Sequence, residues 1–136
     1  MDRIDIQIDV PAVTPADLAL PPAKEGSSDV ARRVLRARDI QLSRNGGLTN
    51  AELSQDRLDH VAQPDNEGRK LLIQAAETLG LTARGYHRVL KLARTLADLS
   101  ESENIHRLHI AESLSHRRAR KGLSSKNRAN RAFTKP

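Results

Sequence analysis

A chain of 136 residues has room for one modest domain with loose ends. It contains no cysteine, so disulfides and thiolate metal sites are excluded, and Tyr86 and Phe133 are its only aromatics. A core must therefore be built from Leu, Ile, Val and Ala, and the aromatic platforms used to stack single-stranded nucleic acid are disfavoured.

No apolar run approaches about 20 residues, so no membrane span is expected. The opening MDRIDIQIDV is acidic and alternating, unlike a secretory leader, and a cytoplasmic protein is expected. The net charge of +6 is unevenly spread. Residues 117–136 hold eight of the 23 Lys and Arg and no Asp or Glu, leaving 15 basic against 17 acidic residues before them. A near-neutral body thus precedes a basic tail, which reads as flexible and able to attract phosphate backbones.

In chain order, RIDIQIDV (3–10) alternates Ile4, Ile6, Ile8 and Val10 with polar residues, the period of a half-buried strand. A lone strand cannot stand, which suggests a piece of something larger. Thr14, Pro15 and Asp17 carry the signature of a capped turn, ended by Pro21 and Pro22, and 19–27 reads as a linker. A helix is expected over 28–43, capped by Ser27 or Ser28, with Val30, Val34 and Ala37 on one face and Leu35 and Leu42 close by. RNGG at 44–47 stops it.

Asn50 is expected to cap a short helix over 51–57. Asp65 caps a third helix over 65–79, whose stripe is Leu72, Ala75, Ala76 and Leu79, with Gly80 as its left-handed terminus. Thr82 caps the next, over 83–100, with Tyr86, Val89, Leu90, Ala93, Leu96 and Ala97 inward. A last helix over 105–116 should turn Ile105, Leu108, Ala111 and Leu114 inward. The expected fold class is mainly α: a small helical bundle preceded by one orphan β-strand and a linker. The expected divisions are 1–27 (strand and linker, poorly ordered), 28–116 (helical domain) and 117–136 (basic tail).

No Gly-rich phosphate loop, HExxH pattern or cysteine cluster is present. His106 and His109 could face together, but without a third ligand they read as polar surface histidines rather than a zinc site. Asp98 and Arg94 are spaced as a helix-surface pair that aids solubility. The informative feature is the cationic row Arg84, Arg88 and Lys91. Arg84 falls in the first turn after Thr82, where the helix dipole favours anions, so a cation gains nothing there unless it decorates a solvent face or serves a bound phosphate. Arg3, between Asp2 and Asp5, reads as a salt-bridged edge residue or as an arginine reaching across a subunit interface.

The segments MDRIDIQIDVPAV, NAELS, EGRKLLIQAAETLGLTARGYHRVLKLARTLADLSESENI and HIAESL together resemble the C-terminal part of the magnesium-chelatase-like AAA+ ATPases, more narrowly those of the YifB/ComM type. The resemblance runs from residue 1 to about 117. It implies a helical lid that covers a nucleotide bound by an upstream α/β core at the interface of a ring, with 3–10 a late strand of that core. By position, Arg3 matches the arginine-finger region, Arg84 the sensor-2 arginine that contacts the γ-phosphate in cis, and Arg88 a weaker supporting position. ATP and Mg are implied for the full-length parent, and none is expected bound to this piece. The implied partners are other subunits of a hexameric ring and DNA, as in a branch-migration helicase. The P-loop lysine and magnesium ligands are not in these residues, so the chain alone should not hydrolyse ATP. The alternative is an independent helical nucleic-acid- or protein-binding module with a basic tail.

Overall fold

Most of the helices begin where a side chain takes a free backbone N–H, α3 being the exception. The computed structural model describes residues 4–117, and the basic segment beyond them lies outside those residues. Thr14 and Asp17 cap one another across the single turn α1, Pro15–Leu18. α2 spans Ser27–Arg44. Its cap is Gly26 rather than either serine, because Asp29 Oδ2 accepts the Gly26 N–H at 3.1 Å from within the first turn.

Asn50 does not cap a helix over 51–57. Thr49 and Glu52 cap a 3-10 turn, Asn50–Glu52, and Leu53 is extended. α3 then starts afresh after Ser54 and runs Gln55–Val61. α4 is Asn66–Leu79, with Asp65 accepting from the Gly68 N–H at 2.7 Å and Gly80 closing it at φ 59°. α5 is Ala83–Leu99, with Thr82 accepting from the Gly85 N–H at 3.1 Å. α6 occupies 107–117.

The expected strand at 3–10 is absent. Among the described residues there is no β-strand, and residues 4–10 are irregular. Among the described residues no backbone hydrogen bond takes up the N–H and C=O groups of residues 4–10, and a ladder needs such a partner. The alternation does not face a core either, since Ile4, Ile6, Ile8 and Val10 are all exposed. The one isolated bridge among the described residues joins Pro64 and Ile105 in parallel. It brings the start of α4 against the start of α6, where the Asp65 N–H donates to Ile105 O at 2.9 Å.

The core is aliphatic, with Leu53, Leu58, Ala62, Leu72, Val89, Leu90, Ala93, Ala97, Ile105, Ile110 and Leu114 in one buried cluster. α5 runs through it as the expected stripe requires. Of the residues expected inward at this end, Ile105 and Leu114 are buried, whereas Leu108 and Ala111 are exposed. Leu108 is 71% exposed, while His109, Ile110, Ser113 and Leu114 are buried. Ser113 and His109 are polar, so the pattern hid the true inward face. Ser113 is held there because its hydroxyl donates to Val89 O at 2.9 Å.

α2 departs further. Val30, Val34, Leu35 and Leu42 are exposed, and its buried positions are Ala37 and Gln41, followed by Asn45. What attaches α2 is polar. Arg44 donates to both carboxylate oxygens of Asp98, at 2.6 and 2.9 Å, and to Asn50 Oδ1 at 2.8 Å. Asn50 donates to Asp98 Oδ2 at 2.8 Å and to Thr95 Oγ1 at 3.1 Å, while its own N–H is taken by Gln41 Oε1 at 3.0 Å. Asn45 donates to Leu48 O and Asn50 Oδ1.

Arg94 and Asp98 are not a solubility pair, being 3% and 1% exposed. Arg94 Nε donates to Asp98 Oδ1 at 3.1 Å. Its two terminal nitrogens donate to Ser102 O and Glu103 O at 2.7 and 2.8 Å. Burial pulls the Arg94 guanidinium below its ordinary value, Asp98 acts in the opposite direction, and the charge of Arg44 adds to the lowering.

Removing the one carboxylate should leave two guanidinium groups facing each other in a buried site. Asp98→Ala is expected to cost about 3–5 kcal/mol, read by guanidinium denaturation followed through helical circular dichroism. Glu25→Ala, which breaks the exposed pair with Arg33, should cost less than about 1 kcal/mol.

Candidate functional site

The first two and a half turns of α5 present Arg84, Arg88 and Lys91 to one side. The three do converge: they line a single open groove of about 480 Å³ together with Asp5, Leu53, Gln55, Leu58, Ala83 and His87. Arg84 is exposed, and Arg88 and Lys91 are half-buried. The opposite wall comes from the 53–58 segment at the start of α3, so the groove exists only because that segment packs on α5.

Each cation has its own setting. Lys91 Nζ donates to Ala51 O at 3.3 Å, across to the 3-10 turn. Arg88 Nε lies 3.2 Å from Asp5 Oδ1, an ion pair with the N-terminal segment. Arg84 sits at the mouth, two residues past Thr82. His87 lies along the wall, with Nε2 3.5 Å from Asp59 Oδ1.

The N-terminal half of α5 is held from behind by α6. Arg117 donates to Gly85 O at 2.9 Å, one turn before the Ser113–Val89 contact. A side chain at Gly85 would meet the Arg117 guanidinium at 3.3–3.4 Å, a tight approach that the arginine would have to yield to. The row therefore sits on a backbone fixed at both its ends.

Sequence spacing brings Arg84, Arg88 and Lys91 to one face, and they line one groove. Arg3 falls outside the described residues. Asp5, Gln55 and His87 escape sequence reasoning as groove residues, because each reaches it from a segment distant in sequence or reads as ordinary surface polarity.

His106 and His109 do come together, with ring centroids 5.8 Å apart, but each ring is committed elsewhere. His106 Nδ1 is 2.7 Å from Asp65 Oδ2. His109 Nδ1 accepts the His106 backbone N–H at 3.0 Å, which caps α6, so the neutral ring carries its proton on Nε2, 3.0 Å from Ser100 Oγ. His109 is buried rather than on the surface. Among the described residues no group of three or more His, Cys, Asp or Glu is placed to hold a metal ion, and no described helix is long and apolar enough to cross a membrane.

The described residues thus form an all-helical unit that turns a cationic row outward from α5 over an aliphatic core. Residues 24–117 match the family described as the C-terminal domain of the magnesium chelatase subunit ChlI. The competence protein ComM of Haemophilus influenzae is 36% identical over 118 residues, and the uncharacterized YifB proteins of Escherichia coli and Salmonella typhimurium are 34% and 32% identical. Each comparison covers 86% of this chain and 23% of the relative, so the chain spans about a quarter of their length. The chain belongs to the magnesium-chelatase C-terminal family, within the YifB/ComM-type magnesium-chelatase-like AAA+ ATPases.

The histidine arrangement gives a pH dependence with a definite sign. Burial, then the charges of His106 and Arg94, hold His109 below its ordinary value of 6.5. The unfolded chain therefore takes up a proton that the folded chain resists as pH falls below about 6.5. The contribution of His109 is fully present above that pH and is lost progressively below it. Asp65 is held below 3.8, first by the Gly68 N–H and then by His106, so its own contribution is lost only in stronger acid. Denaturation midpoints between pH 7 and pH 5 should fall for the wild type, and His109→Gln should flatten that slope.

Proposed function

We propose that this chain supplies part of an ATP site, with Arg84 contacting the terminal phosphate as a sensor-2 residue at the start of α5. The observation that carries the reading is the convergence of Arg84, Arg88 and Lys91 on one groove. Three cations spaced along one helix match a polyphosphate chain, and an arginine in the first turn acts with the free N–H groups of the helix on the same anion. Arg88 supports it from one turn deeper.

The groove residues fit the phosphates of ATP. Mg and the P-loop are provided by the upstream core in this reading, consistent with the lack of a phosphate-loop motif in the chain. Bound ATP supplies a transferable phosphoryl group. Arg84 places positive charge where negative charge builds up during that transfer, and it links phosphate occupancy to the position of the helical unit. Arg3 is proposed as the arginine finger that reaches a neighbouring subunit's site, a role supported by the family resemblance alone. The parent then works as a ring of like subunits, a hexamer by that resemblance, remodelling DNA as a branch-migration helicase. A relative named for competence supports that direction.

The test is steady-state ATP hydrolysis by the full-length parent, with ring assembly and nucleotide binding followed in parallel. Arg84→Ala should lower turnover by about 10²-fold or more with assembly intact. Turnover near the wild-type level would return Arg84 to the helix surface as a solubilising residue.

A further inference from the structure

The groove already has an anion in it. Asp5, from the irregular N-terminal segment, is one of its lining residues, and its carboxylate pairs with Arg88 at 3.2 Å. The two partners differ in setting: the Arg88 side chain is 19% exposed, the Asp5 side chain 54%. The arginine is thus fixed in the wall, while the carboxylate comes in from the solvent side.

The segment that delivers Asp5 is irregular and largely exposed. Residues 4–13 form no helix or strand, and Ile4, Ile6, Ile8, Val10 and Val13 are exposed. Few apolar contacts would be lost if it moved away, the mark of a region with low local stability. A tethered carboxylate that sits on a phosphate-binding arginine, carried on a loosely held strap, is arranged to compete with phosphate.

We propose that Asp5 is a built-in competitor for the groove: it neutralises Arg88 when no phosphate is present and is displaced, together with the 4–13 strap, when a phosphate-bearing ligand binds. The proposal rests on the reading that the groove takes phosphate. The exchange is one of charge-assisted bonds. A carboxylate with one negative charge gives way to a phosphate chain with several, which can engage Arg84, Arg88 and Lys91 together. Displacement frees the strap, so occupancy of the groove on α5 is transmitted to the segment that leads away from it. Asp5 acts here through Arg88 and the ligand, as a positioning and gating residue.

The probe is inorganic tripolyphosphate, titrated at low ionic strength into the whole 136-residue chain and followed by amide NMR. Asp5 lies outside the aliphatic core, so Asp5→Asn should fold as the wild type does. Wild type should show saturable shifts at residues 82–91 and, with the same midpoint, at residues 4–10. Asp5→Asn should bind roughly two- to fivefold more tightly, the range set by a partly exposed ion pair. Its ligand-free spectrum over 4–10 should already resemble the saturated wild type.

Asp9→Asn makes the same charge change in the same strap, four residues further along, and should leave affinity unaltered. Equal tightening by both variants, an Asp5→Asn affinity at or below the wild type, or no saturable binding by either chain would each overturn the role of Asp5. The hydrolysis test of Arg84 in the parent is independent of the strap. Failure there with tripolyphosphate still bound here would remove the ATPase reading and leave an anion groove gated by Asp5.

Discussion

The buried carboxylate of Asp98 is the interaction on which the arrangement of helices depends. It accepts from Arg44 of α2, Arg94 of α5 and Asn50 of the 3-10 turn. Arg94 in turn holds the carbonyls of the turn after α5, where Glu101 sits at a positive φ of 55° and Ser102 N–H closes back on Ala97 O. α2 brings little apolar surface to the interior, so its position comes chiefly from directional polar bonds. A buried ionic cluster need not add net stability over well-packed apolar residues. What it supplies here is register, because the fork of Arg44 meets two fixed oxygens and a slipped α2 would strand buried charges. The cost of misplacement is several kcal/mol for an unpaired buried ion, a large part of the 5–15 kcal/mol that holds a typical domain folded.

That constraint also shapes the candidate site. α5 is fixed at its C-terminal half by the Asp98 cluster and at its N-terminal half by Ser113 and Arg117 of α6, which bond to carbonyls one turn apart. The cationic row therefore stands on a helix with little freedom to shift, and the 3-10 turn held through Asn50 carries the carbonyl that Lys91 meets. Functional groups are positioned best from such supported elements. The N-terminal strap is the opposite case. It meets the groove through Asp5 and leaves most of its apolar side chains in solvent. A rigid receptor beside a loosely held anion is an arrangement in which ligand binding can move one part without disturbing the other.

Much of the architecture was legible from local chemistry. Asp65, Thr82 and Gly80 are strong punctuation because a side-chain oxygen can take an N–H two or three residues on and only glycine adopts the left-handed turn readily. They mark α4 and α5 to within a residue or so. The stripe of α5 is legible because its buried residues are apolar at helical spacing, and the same spacing brings Arg84, Arg88 and Lys91 to one side. The family was legible too, since long segments such as GLTARGYHRVLKLARTLADL carry both pattern and identity.

Tertiary structure alone decided the rest, wherever an inward position is polar or a partner is distant. Local pattern equates apolar with buried, so it grouped Val30 and Val34 with Ala37 on one apolar face of α2 and set Arg94 and Asp98 outward. In the folded chain, long-range partners reverse both assignments. The same holds for Leu108 and His109 on α6. The alternation at 3–10 specifies a strand only if a neighbouring strand exists, and none lies among the described residues. The Asp5–Arg88 pair depends on how the chain returns to α5. The sequence by itself thus determined α4 and α5, their caps, the aliphatic core of α5 and the family. Only the fold decided which polar groups are buried and which charges meet, because those outcomes depend on contacts between segments that no local period encodes.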